Sequence, residues 1–159
     1  MAARTPSQTI GPFFHEALRW PEGARLAPSA TSPRVMLVGH VLDGGKSPVA
    51  DAMVEAWLAS PRGFGRVETA ADGTFRFDLP MPEGPIPSVD IAIFARGLLK
   101  PVRTRVYLVA EERARGDRAL AALAASPRLK TLVATPSGPG EFHWEVRLQG
   151  EGETVFFAP

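Results

Sequence analysis

Apolar and polar residues alternate in short runs along this chain, and only one segment departs from that habit. Phe75-Arg76-Phe77-Asp78-Leu79 alternates without a break, as does Phe142-His143-Trp144-Glu145-Val146-Arg147-Leu148. A two-residue period sends successive side chains to opposite faces, so each run predicts a half-buried strand. Val35 to Leu42 is apolar and β-branched and stops at Asp43-Gly44-Gly45, which predicts a strand and a turn. Val89 to Phe94 and Thr104 to Val109 read as further strands, and Thr154 to Phe157 as a short closing one. Pro48 to Leu58 shows an imperfect strand pattern through Val49, Met53, Val54 and Trp57. Asp72-Gly73 predicts a tight turn, because both residues tolerate positive φ. The prolines and glycines of 80–87 and 136–140 predict loops, and Gly63-Phe64-Gly65 reads as a turn with no nucleotide-binding context.

The exception is Glu111 to Leu123, where two acids precede Ala119-Leu120-Ala121-Ala122-Leu123. Strong helix formers behind N-terminal acids predict one short helix at 111–126, weakened at Gly116 and stopped by Pro127. Leu129 to Val133 fits helix or strand. The fold class expected is therefore all-β: an antiparallel β-sandwich of seven or eight strands, with one short inserted helix. Residues 34–159 form the sandwich and residues 1–33 an N-terminal arm broken by Pro6, Pro12, Pro21, Pro28 and Pro33. The arm carries Ile10, Phe13, Phe14, Leu18 and Trp20, an apolar content that needs a surface to pack on.

Composition narrows the chemistry. With 159 residues the chain fits one domain, and 15 glycines with 16 prolines suit a turn-rich β protein. Cysteine is absent, which removes disulfides, thiolate metal sites and cysteine nucleophiles. A net charge of +1 gives no case for a nucleic-acid partner. No apolar run reaches the 18 residues expected of a membrane span, and the first residues carry no leader pattern, so a cytoplasmic location without membrane contact is expected.

Candidate catalytic groups are few. His15, His40 and His143 lie far apart, and no two share the spacing that puts a ligand pair on one strand face. His40 and His143 read as structural histidines. Arginine is more suggestive: Arg96 ends the Ile91-Ala92-Ile93-Phe94-Ala95 strand, and Arg103 and Arg105 follow across a loop. A guanidinium fork suits a carboxylate, so these positions fit a small anionic substrate or an intersubunit ion pair, besides ordinary solvated arginines.

Several segments then resemble one family. Thr5-Pro6-Ser7-Gln8-Thr9-Ile10-Gly11-Pro12-Phe13-Phe14-His15, Ile91 to Leu98, Thr104 to Tyr107 and Val146 to Phe157 are similar, in this order, to the intradiol ring-cleavage dioxygenases, above all to their alpha-type subunits. Gly65-Arg66-Val67 and Asp72 to Phe75 fit its central strands. The resemblance implies a β-sandwich and a hetero-oligomer. A beta-type catalytic subunit would hold Fe(3+) through two tyrosines and two histidines and use O2 to open protocatechuate to 3-carboxy-cis,cis-muconate. It also implies that this chain binds no metal. The histidine-equivalent positions read Ser88 and Asp90, and the interval 60–87, where the tyrosines would lie, contains none. The one tyrosine, Tyr107, is on a later strand. Two residues carry over as substrate-binding: Thr9, matching an arm threonine, and Arg96, matching an arginine that faces the substrate carboxylate. Two other readings stand beside this one. The chain is a degenerate, iron-free binding or scaffold module, or an unrelated sandwich that binds carbohydrate or peptide through exposed Trp20, Trp57 and Trp144, although a packed core is the ordinary expectation for Trp57 and Trp144.

Overall fold

The computed structural model describes Thr9, Leu18 and residues 20–157. The alternating runs become strands β1 (Arg34–Leu42), β2 (Met53–Leu58), β3 (Gly63–Glu68), β4 (Thr74–Pro80), β5 (Ser88–Phe94), β6 (Val102–Tyr107), β7 (Thr135–Gly138) and β8 (Glu141–Arg147). They form two four-stranded sheets, ordered β4-β1-β8-β7 and β3-β2-β5-β6. The sandwich is as expected, with one departure from a purely antiparallel arrangement: β1 pairs parallel to β8, Met36 opposite Glu141 through Leu42 opposite Arg147.

Leu37, Val41, Phe77, Leu79, Trp144 and Val146 from the first sheet meet Val54, Ala56, Val89, Ile91, Ile93 and Val106 from the second. All are buried on the face that alternation assigns to the core. Phe75 lies over Gly39, its register partner; a Cβ at Gly39 would stand 2.1 Å from the Phe75 ring. The described part of the arm is built into this body. Leu26 is fully buried, and the stretch around it joins the two sheets along one edge: Arg66 N–H donates to the Gly23 carbonyl (2.9 Å), and Leu26 N–H to that of Asp78 (2.9 Å). Arg34 locks the stretch down, with Nε on Asp78 Oδ1 (2.7 Å) and Nη2 on the carbonyls of Asp78 (2.8 Å) and Leu26 (3.0 Å). Ile10, Phe13, Phe14 and His15 lie outside the described residues.

Several expectations change. The segment 111–126 is not one helix. It divides into α1 (Glu111–Ala114) and a 3-10 turn at Arg118–Leu123, followed by a second 3-10 turn at Pro127–Leu132. Asp117 and Ser126 each accept from the backbone N–H two residues on, and these caps restart the chain twice. Leu120, Leu129 and Leu132 point inward and build a second small core with Tyr107, Ala114 and Val155. Gly63-Phe64-Gly65 is strand β3, not a turn. Glycine is needed at Gly65 because a Cβ there would fall 2.4 Å from Leu26 Cδ1 and 2.5 Å from the Gly23 carbonyl. Residues 136–140, expected as loop, include most of β7, an exposed edge strand. Thr154 to Phe157 forms no strand, only an isolated bridge from Phe157 to Arg103. The Pro48–Leu58 pattern yields a strand only from Met53 onward.

Candidate functional site

The second sheet's outer face carries the residues of interest in cross-strand rows set by register. One row reads Phe64, Trp57, Asp90, Arg105; the next reads Arg66, Glu55, Ala92, Arg103. Beyond the first row, Ser88 pairs with Tyr107, and here the second core covers the sheet. Trp57 was expected in the core, yet it is half exposed. It stands on the opposite face of β2 from Val54 and Ala56, where its ring meets Phe64 at 4.4 Å, and Trp20 stacks on the far side of Phe64 at 5.8 Å. Trp144 is buried as expected and donates its indole N–H to the Thr131 carbonyl.

Ser88 and Asp90 thus share a face with Tyr107, and the structure brings them beside Arg105 and Asp117. Arg105 Nε donates to Asp90 Oδ1 (2.6 Å), and its Nη1 reaches Asp117 Oδ2 at 3.4 Å. The buried Tyr107 hydroxyl donates to the same Asp117 oxygen at 2.7 Å. Burial, and then the Asp117 carboxylate, push the Tyr107 phenol well above its ordinary pKa. Burial also acts to raise Asp117, but the Ala119 N–H, the Tyr107 hydroxyl and Arg105 outweigh it and hold the carboxyl below the usual carboxylate range. The guanidinium of Arg105 is held firmly charged, chiefly by its bond to Asp90.

These residues do not fit a ferric ion. Asp90 is committed to Arg105, Tyr107 is a buried hydroxyl donor held neutral, and a guanidinium stands among them. The two described histidines lie elsewhere: His40 Nε2 pairs with the Thr74 hydroxyl (3.0 Å), and His143 Nε2 with Glu141 (2.9 Å). Among the described residues no three histidine, aspartate or glutamate side chains gather as a metal-binding group.

At the other end of β5 the two residues expected to bind substrate come together. Ala95 is buried, and Gly97 turns the chain at a φ of 86°. Arg96 between them projects outward, its side chain 64% exposed. The Thr9 hydroxyl donates to the Ala95 carbonyl (3.3 Å), which joins the arm to the backbone at the foot of Arg96. Arg96 Nε makes an ion pair with Asp51, while its Nη edge has no partner among the described residues. A cleft of ≈ 470 Å³ opens beside it, bordered by Asp51, Val49, Leu98 and Gln149. Sequence reasoning did not find Asp51: it lies in the turn before β2, and nothing in the pattern brings that turn to the end of β5.

No family model matches the chain. It is 33% identical to the protocatechuate 3,4-dioxygenase alpha chain of Burkholderia cepacia, over 97% of this chain and 96% of that one. It is 32% identical to the alpha chain of the same name from Pseudomonas putida, over 96% and 95%. Among solved structures, the dioxygenase domain of a dioxygenase–carbohydrate-binding fusion from Streptomyces sp. SirexAA-E superposes with a TM-score of 0.58 at 18% identity, covering 93% of this chain and 99% of that one. Catechol 1,2-dioxygenase from Pseudomonas arvilla C-1 gives 0.55 at 19% identity, over 79% and 55%. The two structural likenesses establish the sandwich shared with intradiol dioxygenases. Near-full-length identity to the curated relatives establishes more, and the chain belongs to the family of protocatechuate 3,4-dioxygenase alpha chains.

Proposed function

We propose that this chain is the iron-free subunit of a protocatechuate 3,4-dioxygenase and is inactive alone. In this reading a beta-type partner holds Fe(3+), and the chain completes the partner's substrate pocket with Thr9 and Arg96. The observation that carries the reading is the joint at Ala95: one hydrogen bond ties the arm to the strand end that projects an exposed guanidinium. Protocatechuate is an ionised carboxylate at neutral pH. The free Nη edge of Arg96 supplies two N–H donors in the geometry that a carboxylate accepts, and Asp51 on Nε fixes the plane of the fork. Thr9 serves as a positioning residue that holds the arm against Ala95. The chemistry of ring opening belongs to the partner, since the donors on this chain's own sheet are engaged with one another.

The test is oxygen uptake by the chain co-purified with a beta-type partner. Arg96→Ala is expected to raise KM for protocatechuate by roughly tenfold or more, the effect of losing a charge-assisted bond. Turnover of plain catechol, which has no carboxylate, is expected to be unchanged. Equal losses on both substrates would remove Arg96 from carboxylate binding. Failure of the two chains to associate would favour a stand-alone scaffold module.

A further inference from the structure

The outer face of the second sheet contains a hollow that the reading above does not use. Ala92 is its floor. Along β5 it lies between Asp90 and Phe94, and across the sheet it is paired with Glu55 on one side and Arg103 on the other. All four neighbours are larger than a methyl group, so the small residue leaves a recess, ≈ 540 Å³ in volume. That lies within the roughly 300–1,000 Å³ typical of small-molecule sites. Trp57, Phe94, Pro101 and Phe157 supply flat or rigid apolar walls.

The charges here do not cancel evenly. Glu55 is buried and takes both Nε (3.0 Å) and Nη2 (2.7 Å) of Arg66 on one oxygen. Asp90 takes Arg105. Both carboxylates of the hollow are therefore neutralised by arginines from neighbouring strands. Arg103 has no carboxylate partner among the described residues, and its strand position is fixed by the Phe157 N–H on its carbonyl (2.8 Å). A recess with flat apolar walls and one uncompensated guanidinium at its rim suits a planar apolar body that carries a single anionic group.

We infer that this hollow is a second, non-catalytic binding site for a small aromatic carboxylate, with the ring over Ala92 between Trp57 and Phe94 and the carboxylate on Arg103. The inference does not rest on the role proposed for Arg96, which lies beyond the end of the same strand in a different cleft. The test is ligand-observed 19F NMR of 4-fluorobenzoate on the full chain, with whatever partner it co-purifies, titrated to give the classes of site and their affinities. One class of site is expected to weaken by about tenfold in Arg103→Gln, which removes the charge and keeps a polar side chain. Ala92→Leu, which fills the recess, should abolish the same class. Arg96→Ala should leave it intact, and 4-fluorobenzamide should not occupy it. A titration unchanged by both Arg103→Gln and Ala92→Leu overturns the inference. So does one in which every site is lost with Arg96→Ala.

Discussion

Arg34→Met offers a sharp test of how the N-terminal segment is held. The substitution keeps an apolar stem of similar length and removes the guanidinium. Three short bonds disappear: Nε to Asp78 Oδ1 and Nη2 to the carbonyls of Asp78 and Leu26. The Asp78 carbonyl keeps the Leu26 N–H, so only the Leu26 carbonyl is orphaned, at about 1 kcal/mol. The bond to the Asp78 carboxylate would be worth about 1.5–3 kcal/mol if buried, but that side chain is one-third exposed and solvent screening trims it to the lower end. The expected loss is about 2–3 kcal/mol, a roughly 30- to 150-fold increase in opening of the segment. Urea unfolding gives the global part. Limited trypsin digestion gives the local part, because the neighbouring Arg25 side chain is exposed and becomes cleavable once the segment lifts. Arg34→Lys should recover little, since an ammonium cannot fork between Asp78 and Leu26. A fall in the urea midpoint with no faster cleavage after Arg25 would refute the reasoning, because the energy would then lie elsewhere in the sandwich.

Two further outcomes follow from the geometry. Tyr107→Phe removes the buried hydroxyl from Asp117, with an expected cost of about 1–2 kcal/mol at pH 7 in urea unfolding. Because the folded phenol titrates above its unfolded value of about 10, its contribution is whole below that pH and fades as pH rises further, so the wild-type chain should lose stability above pH ~10 and the variant should not; matching alkaline curves would exclude this. Gly39→Ala drives a methyl into the Phe75 ring and should lower stability by about 2 kcal/mol, with partial rescue by Phe75→Leu in a double-mutant cycle, whereas a neutral Gly39→Ala would show that the ring has room to move.

Much of this fold could be read because strands buried on one face write their orientation into the sequence. The runs at 75–79 and 142–148 alternate strictly, and both lie in the first sheet with Phe77 and Trp144 turned inward. Strand β3 escaped because two of its three inward positions are Gly63 and Gly65, which leave Val67 as the lone apolar signature; Gly65 is glycine because Gly23 and Leu26 approach it closely. Strand β7 escaped because it is an exposed edge with no face to bury. Trp57 was misplaced because β2 carries apolar residues on both faces, Met53 and Trp57 on one and Val54, Ala56 and Leu58 on the other, and only its register with Phe64 and Asp90 shows which way it points. The helix failed at Asp117 and Ser126, local caps that outweighed the helix propensity of the alanines. For the site, Arg96 stood out from the residues as one of three candidate arginines, and the family resemblance singled it out, whereas Thr9 was visible only through that resemblance. Their meeting at Ala95 is a long-range contact that no periodicity encodes.

The parallel pairing of β1 with β8 also governs how the molecule can be made. A ribosome releases β1 and β4 well before β8, so until β8 emerges β1 can join β4 while its other edge stands open. That edge is apolar and unshielded, the kind of template on which a second nascent chain can add a strand. Only when Glu141–Arg147 emerges does the first sheet close, and the order of translation therefore makes the last strand the guardian of the first.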